Sequence, residues 1–169
     1  MATFNQIDHQ TARSFLPHIQ VLKIKQSDYN ALVQQYNGSK ELWEDIEFPP
    51  TAKSFGDIPE IKEHSWKRLS QIVTDPVLFD GRIEPQDIIQ GALGDCYFLS
   101  AIAALAEKEA RITQIFSEQP GSANCIYRVT LRVSGVIQEV IIDDYVPVNK
   151  LGEPIFCQPN KNEIWVPLL

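Results

Sequence analysis

Gln90-Gly91-Ala92-Leu93-Gly94-Asp95-Cys96-Tyr97 is the stretch on which the reading of this chain turns. Its first six residues form a glycine-punctuated loop. From Cys96 onward, Leu99, Ile102, Ala103, Leu105 and Ala106 recur at helical spacing, so a helix is expected from Cys96 to about Glu109. It continues or restarts through Ile112, Ile115 and Phe116, and Gln119-Pro120-Gly121-Ser122 ends it. A cysteine in the first helical turn sits at the positive end of the helix dipole, which favours thiolate over thiol. Its backbone N–H has no intrahelical acceptor and can donate to an incoming oxyanion. The Gln90 side-chain amide, across the loop, can supply a second donor. Gly91, Ala92 and Gly94 are small enough to let a peptide substrate approach the backbone. Together these residues are half of an acyl-transfer site. The alternative is that Cys96 is a small core residue, the commonest fate of a lone cysteine beside apolar side chains.

Around this stretch the chain changes period. Tyr127, Val129, Leu131 and Val133 alternate with Arg128, Thr130 and Arg132, Ser134-Gly135 is a turn, and Val136 to Ile142 is a second strand. This predicts an antiparallel hairpin with one buried face. Asp143-Asp144 closes the second strand, as hydrogen-bonding groups at a strand end rather than metal ligands. Lys150 to Glu153 is a turn, and Ile155-Phe156 a short strand. Asn160 to Glu163 offers an N-cap for a helix carrying Ile164, Trp165, Leu168 and Leu169, although Pro167 predicts a kink or a displaced start. Upstream, Lys40 to Pro85 is rich in loops, with Phe48, Phe55, Trp66, Leu78 and Phe79 as apolar anchors. Residues 1–40 read as a leader. In it, Ser27 caps a short helix bearing Tyr29, Leu32, Val33 and Tyr36, broken by Asn37-Gly38-Ser39.

Composition narrows the function. The chain has 169 residues, enough for one domain or two small lobes. A net charge of −7 and a pI near 4.9 argue against a nucleic-acid partner but are compatible with a hard cation. No basic segment followed by an apolar run opens the chain, so no secretory signal is expected. The apolar stretch from Tyr97 to Ala106 is too short for a membrane span, which needs about 20 residues. Cys96, Cys125 and Cys157 show neither disulfide nor zinc spacing, which predicts free thiols and a cytoplasmic setting.

Cys96-Tyr97 partly matches the papain-type pattern around a nucleophile, without that pattern's leading Cys and small residue. Gln90 to Ala104, QGALGDCYFLSAIAA, closely resembles the catalytic-cysteine segment of the calpain family of calcium-dependent cysteine proteases. Further segments run in register with it. Glu47-Phe48-Pro49-Pro50, Trp66-Lys67-Arg68, Asp87-Ile88, Asp143-Asp144 with Pro147, and Asn162-Glu163-Ile164-Trp165 with Leu168-Leu169 each resemble family motifs. The resemblance covers about residues 44–169.

This resemblance implies an α+β, papain-like fold. Residues 41–169 would be its first, cysteine-bearing lobe, with a central helix and antiparallel strands. It implies Cys96 as nucleophile, Gln90 as oxyanion donor, and a calcium ion on Asp87 and Glu163. On the residues alone, a helix-cap or solvated surface role for each of those two carboxylates weighs about evenly with a role as metal ligand. Tyr97 stands where the family usually has Trp, and an aromatic there is expected to pack and line the cleft. Papain-like enzymes place His and Asn roughly 130–150 residues beyond the cysteine. His9, His18 and His64 all precede Cys96, and the chain ends at Leu169, so the second lobe is expected to be absent. Three readings follow: the first lobe of an endopeptidase, a non-catalytic calpain-like module in a larger assembly, or one half of a split enzyme. The partners implied are protein substrates, or a partner or second lobe covering the cleft face.

Overall fold

Among the described residues, three two-stranded antiparallel sheets and three short helices surround the core, and no continuous sheet runs through it. The computed structural model describes residues 29–55, 64–91, 96–119, 121–133 and 135–169. Its elements in chain order are α1 (Tyr29–Tyr36), β1 (Ser65–Arg68), β2 (Ile89–Gln90), α2 (Cys96–Ala106) and α3 (Glu109–Ile115). Then come β3 (Tyr127–Val133), β4 (Val136–Ile142), β5 (Tyr145–Val148) and β6 (Cys157–Gln158). β1 pairs with β5, β2 with β6, and β3 with β4. Among the described residues no helix is long and apolar enough to cross a membrane.

The two helices expected after the loop are present, as a restart. Lys108 takes extended backbone (φ −131°, ψ 98°), which ends the α2 ladder and caps α3. In α2, Leu99, Ile102 and Ala106 face the core, at the spacing of one helical stripe. Leu105 was expected on that stripe but lies at its edge and is exposed. Phe79 packs edge-to-face on Phe116, with centroids 5.9 Å apart, fastening the loop before β2 onto the end of α3. Leu78 packs against the same core. Phe48, also expected as an anchor, is exposed and meets Trp66 edge-on at 6.2 Å.

Tyr29 joins α1 to the lobe. It is buried, its hydroxyl accepts the Gly121 N–H at 3.1 Å, and the Arg128 guanidinium lies 4.8 Å over its ring. Gly121 has no room for a side chain, because a Cβ would lie 2.8 Å from Val33 Cγ2. The expected Ser27 cap lies outside the described residues. At the other end, Gly38 takes φ +77°, the left-handed conformation that terminates helices.

The hairpin has the expected register, from Tyr127↔Ile142 to Val133↔Val136. Its buried face is shorter than the alternation predicts. Tyr127 and Val129 are buried, but Leu131 and Val133 are exposed, because the turn end runs beyond the core. Two further expectations fail in the last segment. The short strand falls at Cys157–Gln158 rather than Ile155-Phe156, opposite β2. No helix follows Asn160; residues 165–168 form turns, with Leu169 N–H donating to Val166 C=O at 3.2 Å. Pro167 gives the reason. It has no N–H to offer a carbonyl one turn back, and its ring clashes with that turn. The Ile164 N–H instead goes to Val77 C=O at 3.0 Å, across the chain.

One buried ion pair ties these pieces together. Arg68, at the end of β1, pairs through Nη1 with Asp144 Oδ1, just before β5. It also donates through Nη2 to Trp43 C=O at 2.7 Å and stacks 4.2 Å over the Tyr145 ring. Burial alone would lower the Arg68 pKa. The hydrogen bond and charge of Asp144 outweigh it and raise the value. Asp143 accepts backbone N–H groups from Asp45 and Tyr145, both at 2.9 Å. Both aspartates therefore act as the hydrogen-bonding groups expected at the strand end.

Asp144→Ala leaves the Arg68 charge buried without its partner and should cost about 3–5 kcal/mol of unfolding free energy in a urea titration. The double variant Arg68→Met/Asp144→Leu removes both charges and should recover most of that loss.

Candidate active site

Gln90 and Cys96 are delivered by two different elements. Gln90 ends β2, held opposite Cys157 of β6. Gly91 N–H then donates to Phe156 C=O at 2.5 Å. A Cβ on Gly91 would lie 2.5 Å from that same carbonyl and 2.6 Å from the Ile155 carbonyl. Backbone cannot yield as a side chain can, so only glycine lets the chain pass here. At this position the room is needed by the protein's own strand, not by substrate. Residues 92–95, which set the separation of Gln90 from Cys96, lie outside the described residues.

Cys96 is the first residue of α2, and its thiol is free and exposed. It is therefore not the core cysteine that the alternative reading required. Its N–H belongs to the first turn, where the helix supplies no acceptor. Its C=O accepts the Ser100 hydroxyl at 2.7 Å. Tyr97, expected to pack, is instead 81% exposed. Helix geometry explains this: two residues before buried Leu99, it lies about 200° round the helix, on the opposite side.

The remaining cysteines differ. Cys157 is half-buried, with Sγ 3.4 Å from Val166 C=O. Cys125 is buried beside Asp144 and Arg68, and burial together with the Asp144 charge pushes its thiol up to about 12. His9 and His18 lie outside the described residues. The Nδ1 of His64 is buried without a hydrogen-bond partner.

Asp87 and Glu163 come together at one corner. Val77 N–H donates to Asn162 C=O at 2.9 Å and Ile164 N–H to Val77 C=O, zipping 162–164 against residue 77. Asp80 N–H then donates to Glu163 Oε1 at 3.1 Å. Asp87 closes a tight turn by accepting Glu84 N–H at 2.8 Å, and its other oxygen accepts the Asn160 amide at 3.0 Å. Asp80 and Asn160 are participants that the sequence reading missed or cast otherwise, Asn160 as part of a helix cap. Their role depends on how distant segments cross, which no local pattern encodes.

Glu163 is buried, and burial is the main cause of its raised pKa, with the like charges of Asp87 and Asp80 adding to it. Among the described residues no cationic side chain pairs with Asp80, Asp87 or Glu163. Nor do three His, Cys, Asp or Glu side chains there gather into a ready-made metal cluster. The donor set nevertheless fits a hard cation: two carboxylates with uncompensated charge, on loops whose carbonyls can complete an oxygen shell.

A family model described as calpain family cysteine protease matches residues 43–169. The calpain-1 catalytic subunit of Gallus gallus is 33% identical over 97% of this chain, and the calpain-2 catalytic subunit of Homo sapiens 31% over 96%. A calpain-type cysteine protease of Zea mays is 34% identical over 88%. The chain spans 24% of the length of each animal protein and 7% of the maize one.

Two outcomes follow. With a neutral thiol reagent, Cys96 should be modified first, Cys157 more slowly, and Cys125 only on unfolding; peptide mapping by mass spectrometry reads the order. Glu163 holds its proton more tightly folded than unfolded, so its contribution to stability is full below the usual carboxylate pKa and is lost as pH rises through the raised value. In cation-free buffer, Glu163→Gln should therefore be more stable than the parent at neutral pH, and the two should converge in acid, as read from urea midpoints against pH.

Proposed function

This chain belongs to the calpain family of cysteine proteases, and from that premise we propose that it is the cysteine-bearing first lobe of a calcium-dependent endopeptidase. The observation that carries the reading is the exposed Cys96 thiol on the first residue of α2, after a strand that anchors Gln90. A calcium ion at Asp87 and Glu163 would offset their charge and hold the 75–87 and 160–164 segments together.

The chemistry asked of this chain is nucleophilic. A base takes the Cys96 proton, and the thiolate attacks the carbonyl carbon of a protein substrate, forming a C–S bond. The oxyanion accepts hydrogen bonds from Cys96 N–H and the Gln90 amide. Collapse breaks the C–N bond, and the amine leaves with the proton from the base. Water, deprotonated by the same base, then cleaves the thioester and restores the thiol. All three histidines precede Cys96. The base and its orienting Asn would therefore come from a second lobe, carried by the same protein or by another chain. A reducing, cytoplasmic setting keeps the nucleophile as a thiol.

A second reading, a non-catalytic module, draws on the exposed Tyr97, Phe98 and Leu105 of α2 and the nearby Ile89. A protein partner would cover these, as would the second lobe in the first reading.

Supplied with a His- and Asn-bearing calpain second lobe, the chain should cleave a denatured protein substrate. Cys96→Ser should abolish the activity, and Gln90→Ala should lower kcat roughly a hundred- to thousandfold. Assembly without cleavage would favour the non-catalytic module, and cleavage that survives Cys96→Ser would exclude Cys96 as nucleophile.

A further inference from the structure

The two carboxylates of the acidic corner come from segments far apart in the chain, and one residue touches both. The Asn160 backbone C=O accepts the Glu163 N–H at 3.0 Å, closing a tight turn. The Asn160 side-chain amide donates to Asp87 Oδ1 at 3.0 Å. The β2–β6 register explains the second contact. Gly91 bonds to Phe156, Gln90 is opposite Cys157 and Ile89 is opposite Gln158. Two steps further along, the same register sets Asp87 opposite Asn160. Backbone groups that would make a rung there are committed to local turns: Asp87 N–H donates to Glu84 C=O at 3.1 Å, and Asn160 C=O accepts from Glu163. Side chains directly opposite in an antiparallel pair stand about 4.5–5.5 Å apart at Cβ, so this pair bonds through its side chains instead. The bond orients Asp87 without exhausting it. Oδ2 accepts the Glu84 N–H at 2.8 Å and Oδ1 the Asn160 amide. Each carboxylate oxygen has about two acceptor sites, so each keeps one for an ion. Glu163 is fixed in a similar way, its backbone by Asn160 and its Oε1 by the Asp80 N–H at 3.1 Å.

We propose that Asn160 is a positioning residue for a divalent cation at Asp87 and Glu163: its side chain holds one carboxylate, and its backbone fixes the segment that carries the other. The inference rests on the cation reading above. Asn160 need not touch the ion. It orders the two loops beforehand, so that less of the binding free energy is lost in ordering them when the ion arrives. Outer partners of ligating carboxylates usually change metal affinity by about 10–100-fold when removed. Asn160 also fastens the loop between β6 and Glu163, so the test must separate the orientation of Asp87 from general loosening of that loop.

Calcium, titrated into the whole chain and followed by calorimetry, is the probe. Asn160→Leu keeps the backbone bond to Glu163 and the bulk of the side chain, and removes the amide donor without changing charge. It should bind calcium about tenfold more weakly, or worse. Cys157→Ala loosens the same loop, by removing the Sγ contact with Val166 C=O, and leaves Asp87 alone. It should lower the urea midpoint and keep the parental affinity. Glu163→Gln should abolish binding. Parental affinity in folded Asn160→Leu, or an equal loss in Cys157→Ala, overturns the role of Asn160 and leaves the cation site standing. No binding to the parent, or binding that survives Glu163→Gln, overturns both. If Asn160→Leu does not fold, the parent itself decides. With the chain ¹⁵N-labelled, the Asn160 side-chain amide resonance should shift as calcium binds and stay protected from exchange with water, as a donor to an ion-bound carboxylate requires. An amide that stays in place, or that exchanges freely while calcium binds, overturns the proposal.

Discussion

A cation buried in a small lobe has few tolerable surroundings, and Arg68 sets the terms for much of this structure. Its guanidinium must be paired, or the lobe bears the cost of a desolvated charge. It is satisfied by Asp144 and the face of Tyr145, which are adjacent in the chain, and by the Trp43 carbonyl from a distant loop. Among the described residues the sheets are all two-stranded, and this junction reinforces the β1–β5 ladder, where Arg68 lies opposite Tyr145, and ties a distant loop to it. It joins the end of β1 to the start of β5 and draws in the loop before residue 45. Cys125 is caught in the same network, which is why one thiol is withdrawn from chemistry while another stands exposed.

The acidic corner shows the opposite electrostatic choice. Glu163 is buried with Asp87 and Asp80 near it and, among the described residues, no cationic side chain paired with it. A lobe that neutralises Arg68 with care leaves this corner charged. Such an imbalance is destabilising in the isolated fold and useful where an ion must be captured. The same segments brace β2 and β6, so the corner and the strand carrying Gln90 are mechanically close.

Much of this was legible along the chain. The α2 stripe, the α1 face and the hairpin register each follow from short-range periodicity, which is a property of local backbone geometry. The place of Cys96 at a helix start follows from the same pattern. Other residues were misjudged for reasons that lie beyond a local window. Leu131 and Val133 alternate correctly but pass the edge of the core. Tyr97 is apolar enough to pack but lies on the wrong side of α2. The segment after Asn160 has helical spacing, yet Pro167 removes the needed donor and residue 77 offers a better partner for Ile164.

The sequence by itself determined the family, the order of the main elements, and the residue types able to attack a carbonyl or hold a hard ion. Those depend on side-chain chemistry and on spacings of a few residues. Tertiary structure alone decided that Gly91 serves backbone packing and that Asp80 and Asn160 attend Glu163 and Asp87. These are meetings of segments distant along the chain. Their energies come from burial and pairing after the chain has folded, and no local pattern of residues contains them.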